Sequence, residues 1–228
     1  MEPTPFLSLT HVKQRADFWL RLTVAEEARP MRTFPKARVD ALTDGIFAFA
    51  MTLLVLELRL PDQPVRDGVA LIGDLAELGE KYLAYVISFF VLAAQWRSNI
   101  ELRRLETVSA DALGWWMVYL FFVTSIPFSS SVVGLHGDLP PAVWLYAANM
   151  IAVSALSLRL RVLEIVPEHR PSARAGHFRI VFVIGTAVLS MLISLVAPGH
   201  AMYAYMLNLL AGPIASRWYG RATETVGA

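Results

Sequence analysis

The chain has 228 residues, 56% of them hydrophobic and 17% charged, with a mean hydropathy of +0.50, which lies outside the range of ordinary soluble domains and marks a membrane protein. Twenty Lys and Arg against nineteen Asp and Glu leave a net charge of +1, so nucleic acid is not an expected partner. The absence of cysteine excludes disulfides, thiolate metal sites, iron–sulfur clusters and cysteine nucleophiles.

Residues 1–35 form a charged N-terminal arm. Phe18, Trp19 and Leu20 interrupt it without the long apolar core or cleavage site of a signal peptide. His11 to Ala28 reads as an amphipathic helix, either lying on the inner leaflet or docking a partner. Six intervals poor in charge then qualify as membrane spans, each needing about 20 mostly apolar residues. They are Leu42 to Leu60, a core from Tyr82 to Trp96, the interval between Asp111 and Asp138, that between Asp138 and Arg159, and two more within Ile180 to Ser216, split at Pro198-Gly199. Between the first two, Leu71, Ile72, Leu75 and Leu78 share one face, predicting a short outer helix that caps the bundle. The expected architecture is an all-α, six-helix membrane domain over 36–220 with a tail over 221–228. Seventeen Lys and Arg fall on one side of these spans and only Arg59, Arg66 and Lys81 on the other, which predicts both termini in the cytoplasm.

Enzyme chemistry lacks parts. No two of the five His stand four apart on a helix, so no metal site or cofactor is expected. Ser129, Ser130 and Ser131 follow Pro127 without a recognisable base, and read as a kinked helix end whose freed carbonyls are taken by hydroxyls. No Thr-Val-Gly-Tyr-Gly filter loop is present, so any pore must be built from helix side chains.

The first span carries the unusual pattern. Leu42, Phe49, Leu53, Leu56 and Leu60 form a narrow stripe at about 100° per residue. Beside it Ala41, Gly45, Ala48 and Thr52 make a ridge of small residues that permits close helix approach. Asp44 lies about 140° from Phe49. The stripe faces either lipid and bundle core or a lumen.

Arg38, three residues, then Leu42-Thr43-Asp44 resembles the Arg-x-x-x-Phe-Ser-Asp signature of the lysosomal potassium channel family, transmembrane protein 175, and particularly its bacterial single-repeat homologues. The run Ala48 to Leu58 extends the match, with Tyr85, Ser88, Phe89 and Trp96 in the second span and Phe121 to Phe128 in the third. The likeness spreads over roughly 36–220 and leaves the arm outside.

The resemblance implies a homotetramer in the bacterial inner membrane, with the first helix lining a central pore and no re-entrant filter loop. It implies a passive pathway for potassium and other monovalent cations. Carried over from the signature Asp, the apolar constriction corresponds to Phe49, Leu53 and Leu56, flanked by the Thr52 hydroxyl. Phe49 replaces a smaller Ile or Leu of the family. Arg38, Thr43 and Asp44 match its polar network at the cytoplasmic end. Asn99 and Ile100 replace a His pair, and Trp116 an Asn; Asn99 can donate to Asp44 but cannot titrate. At the outer end, Glu57 forms either a cation-concentrating ring or an ordinary pair with Arg59 or Lys81. A secondary transporter using Asp44 is the alternative reading, although the inverted repeats and broken helices of that class are not visible.

Overall fold

The computed structural model describes residues 33–60, 67–100, 107–164, 174–208, 210–212 and 214. The chain divides into two units, Met1–Thr33 and Phe34–Ala228. The expected amphipathic helix from His11 to Ala28 and the tail over 221–228 lie outside the described residues.

The second unit is almost wholly helical. In chain order come a short strand β1 (Thr33–Pro35), α1 (Lys36–Val55), α2 (Gly68–Glu77), α3 (Gly79–Ile100), β2 (Thr107–Ser109), α4 (Ala110–Thr124), α5 (Ile126–His136), α6 (Pro140–Glu164), α7 (Arg174–Ser194) and a 3₁₀ helix, Pro198–Leu207. The two strands pair with each other. Helix α1 packs on α3, α4 and α5, while α6 joins α4 and α5 to α7, and α7 carries the 3₁₀ helix.

The starts of these helices follow local chemistry. Pro35 precedes α1 with φ −58°, the value its ring imposes, at a helix start where the first amides lack intrahelical partners. The Asp67 carboxylate accepts the Ala70 amide at 2.8 Å and the Ser109 hydroxyl oxygen accepts that of Ala112 at 3.2 Å, both as N-cap side chains.

Three expectations need correction. The first helix begins at Lys36 and ends at Val55 rather than running from Leu42 to Leu60. Beyond it the backbone tightens into i→i+3 turns, Leu56 N to Leu53 O and Leu58 N to Val55 O, both 3.1 Å. The Arg59 Nε takes the Leu56 carbonyl at 3.0 Å, satisfying an acceptor left over at the helix end. Second, the outer helix α2 is present, but Leu71, Ile72 and Leu75 are exposed, so it does not cap the bundle. Third, the sixth expected span begins as a 3₁₀ helix of ten residues, whose rise of about 2 Å per residue carries it roughly 20 Å.

The third expected span is broken at Ser125. Pro127 cannot donate to the carbonyl one turn back, and its ring crowds that turn. The Thr124 and Ser125 hydroxyls both donate to the Phe121 carbonyl, at 2.7 and 3.0 Å; of the three hydroxyls expected to cover the kink, Ser129 donates to the Ile126 carbonyl at 3.1 Å, whereas Ser130 donates to the Ala84 carbonyl of α3 and Ser131 to Glu57. Among the described residues three runs are long and apolar enough to cross a membrane: Ala110–His136, Pro140–Leu163 and Gly176–Ser194. Helices α1 and α3, with 20 and 22 residues, have the length, but α1 carries Lys36, Arg38, Asp40 and Asp44.

Candidate functional site

Helix α1 is divided along its length. Val39, Thr43, Phe47, Ala50 and Leu54 are buried, at spacings of three and four that put them on one side of the helix. Phe47 is fully enclosed, its ring 6.2 Å from that of Tyr119. The other side is open. Phe49 is 62% and Leu56 56% exposed, Leu42 is exposed with them, and Leu53 is half-buried. Thr52 is also exposed, and its hydroxyl donates to the Phe49 carbonyl at 2.8 Å, which leaves the oxygen lone pairs free to accept.

Ala41, Gly45, Ala48 and Thr52, the ridge of small residues, are all exposed. A Cβ placed on Gly45 would meet no atom within 4 Å. The chain therefore buries one side of α1 and presents an apolar stripe and a smooth ridge on the other.

The polar residues near the start of α1 are partnered differently from the expectation. Asp44 is half-buried and its Oδ1 accepts the Trp96 indole N–H at 2.9 Å. Thr43 donates to the Val39 carbonyl of its own helix at 2.7 Å, and Asn99 donates to the Tyr119 hydroxyl at 3.0 Å. Asn99 is thus directed to α4 rather than to Asp44. Arg38 is exposed.

Two basic residues that sequence reasoning passed over are central at this end. Lys36 is buried, with its Nζ 3.7 Å from the Asp40 carboxylate and 4.3 Å from the centre of the Trp116 ring. The ammonium meets both a charge and a π face. Arg161, only 1% exposed, donates to the Ser98 carbonyl at 2.7 Å and to the Ser98 hydroxyl, covering an acceptor at the C-terminal end of α3. The i, i+4 spacing of Lys36 and Asp40 was a usable signal. Nothing in the sequence distinguishes Arg161 from Arg159, which instead lies 4.9 Å over the Trp115 ring.

At the opposite end Glu57 is exposed, and its Oε2 accepts the Ser131 hydroxyl at 2.6 Å. Lys81, Ser130 and Ser131 line a small recess with it. Deeper in, Ser88 bridges Ser130 and Tyr146, each at 2.9 Å, and Asn149 donates to Ser129 at 3.0 Å. These hydroxyls and amides join α3, α5 and α6 where hydrocarbon surroundings make unpaired polar groups costly. Among the described residues no three His, Asp or Glu gather as a metal-ligand set.

Residues 38–127 match the family described as endosomal/lysosomal potassium channel TMEM175. A potassium channel of Chamaesiphon minutus is 31% identical over 127 residues, which cover 54% of this chain and 63% of that protein, so the chain spans less than two thirds of this relative. A potassium channel of Streptomyces collinus is 27% identical over 195 residues, 77% of this chain and 94% of that one. The crystal structure of a lysosomal potassium-selective channel TMEM175 homolog from Chamaesiphon minutus shares the fold, with a TM-score of 0.65 and 23% identity over 78% of this chain and 97% of that chain. Over residues 38–127, which include the signature helix, the chain is thus similar to the TMEM175 potassium channels, and it shares the fold of the Chamaesiphon minutus homolog.

Proposed function

We propose that the chain is the subunit of a passive, potassium-permeable cation channel in which four copies surround a pore lined by α1. The observation that carries this reading is the division of α1. Its inner side is fully engaged within the subunit, while Phe49, Leu53 and Leu56 form an outward apolar stripe beside the exposed Ala41, Gly45 and Ala48 ridge. A ridge of small residues suits close contact with a neighbouring copy, and a fourfold stripe makes successive apolar rings.

Such rings exclude water at small radius and act as a barrier rather than a binding site. Potassium sheds its hydration shell more readily than sodium, so a tight apolar neck flanked by Thr52 oxygens favours potassium modestly. In this arrangement α1, α3, α4 with α5, α6, α7 and the segment from Pro198 onward are the six spans. The Lys and Arg distribution puts both termini in the cytoplasm of a bacterial cell, and Glu57 stands at the outer mouth. Arg38 is exposed and available to a neighbouring copy.

Purified protein in liposomes with a potassium gradient tests this reading. Flux down the gradient without a coupling ion is expected. Uptake coupled stoichiometrically to protons or sodium would overturn it in favour of a transporter using Asp44.

A further inference from the structure

A groove of about 440 Å³ runs along the side of the subunit between α3, α7 and the segment following Pro198. On α3 it is lined from Leu83 through Phe90 and Ala94 to Arg97, a run of about 21 Å at 1.5 Å per residue. That exceeds the roughly 15 Å depth of one hydrocarbon leaflet. Apart from Asn208 and the Tyr205 hydroxyl the uncharged part of the lining is apolar, and Phe90 is 55% exposed.

Charge enters at one end only. Arg97 and Arg179 are the sole charged residues among those described in the lining. They stand at the same end of the bundle, because Arg161 bonds Ser98 next to Arg97 while its guanidinium lies against Gly176, one turn before Arg179. By the distribution of Lys and Arg this is the cytoplasmic end.

We propose that this groove binds an anionic phospholipid of the inner leaflet, one acyl chain lying against Leu83, Phe90 and Ala94 and the phosphate held by Arg97 and Arg179. A volume of this size suits a ligand site, and the apolar length ending in two guanidiniums reproduces the layout of a lipid: hydrocarbon below, anion at the interface. Guanidinium forks match phosphate oxygens geometrically. A second copy of the chain is a poorer occupant, since it would need to bring a carboxylate to the arginine end, and the surface suited to self-contact lies on α1.

Native mass spectrometry of the full chain, titrated with phosphatidylglycerol or phosphatidylcholine of identical acyl chains, tests the site. Phosphatidylglycerol is expected to be retained preferentially, and Arg97→Gln to reduce its binding about fivefold. Ala94→Trp, which fills the groove, is expected to lower retention of both lipids, whereas Arg59→Gln, outside the lining, leaves the preference intact. Arg179 has a further interaction of its own, so Arg97→Gln is the primary charge variant and Ala94→Trp the independent one. Equal retention of the two lipids by the unaltered protein overturns the proposal, as does an unchanged preference in Arg97→Gln or an unchanged retention of both lipids in Ala94→Trp. Displacement of phosphatidylglycerol by inorganic phosphate would reassign the arginines to a free anion and overturn it as well.

Discussion

The Trp96 indole N–H donates to the Asp44 carboxylate at 2.9 Å, tying α3 to α1 across 52 residues of sequence. This bond gives a half-buried carboxylate a neutral donor in a setting where intramembrane charge is costly. It adds one polar tie to the packing of Val39, Thr43, Phe47, Ala50 and Leu54, which sets the side of α1 that faces outward.

Removing either side of this contact tests it. A hydrogen bond to a charged group contributes about 1.5 to 3 kcal/mol, so Trp96→Phe is expected to lower the melting temperature of the assembled protein while leaving ion preference unchanged. Asp44→Ala is expected to assemble poorly, and Asp44→Asn, which keeps an acceptor for Trp96, to assemble better. Size-exclusion profiles and thermal melts separate the three. A well-folded Asp44→Ala tetramer with altered ion preference would instead put Asp44 in the ion path.

The two phenylalanines of α1 offer a contrast of faces. Phe47 is fully buried against Tyr119, and truncating such a residue to Ala costs about 3 to 5 kcal/mol. Phe47→Ala is expected to lose stability. Phe49→Ala is expected to keep stability, raise flux and lower the preference for potassium over sodium. Met51 is half-buried against the core, so Met51→Ala should cost some stability without changing flux. Liposome flux that responds to Met51→Ala and not to Phe49→Ala would assign the pore to the wrong side of the helix.

Assembly can be separated from folding at Gly45. Because a side chain there meets nothing within the subunit, Gly45→Leu is expected to leave helicity intact while blocking close approach of a neighbouring copy. Chemical cross-linking in mild detergent should reach a tetramer for the unaltered protein and fall short for the variant. Saturation at a dimer in the unaltered protein would refute fourfold assembly.

Gly176 and Arg161 form a coupled pair. A Cβ on Gly176 would lie 2.7 Å from the Arg161 Nη1, and that guanidinium is held by Ser98. Gly176→Ala is expected to displace Arg161 and destabilise the protein. Arg161→Ala, which deprives Ser98 of its buried cationic donor, is expected to cost more. Adding Gly176→Ala to Arg161→Ala should then cost little, a non-additivity that a double-mutant cycle of thermal melts would read directly. Strictly additive effects would show that the two residues act independently.

The sequence alone determined the class of protein, because burial in hydrocarbon demands long apolar runs and their composition is visible residue by residue. It also determined the two-sided pattern of α1, since helical geometry converts spacings of three and four into faces, and it held the signature around Asp44 that resembles the TMEM175 family. The kink was equally legible, being a local consequence of Pro127, but not the hydroxyls that meet it, since Ser130 and Ser131 bond to α3 and to Glu57 instead. What only the tertiary structure decided was the choice of partners. Asn99 had several acceptors within plausible reach, and packing of α3 on α4 gave it Tyr119. Arg159 and Arg161 end the same apolar run, yet packing against α3 and α7 buried one and left the other over Trp115. The ends of α1 and the 3₁₀ start at Pro198 were likewise settled beyond sequence reach, since small differences in backbone turn energy there yield to whichever carbonyl a neighbouring donor satisfies.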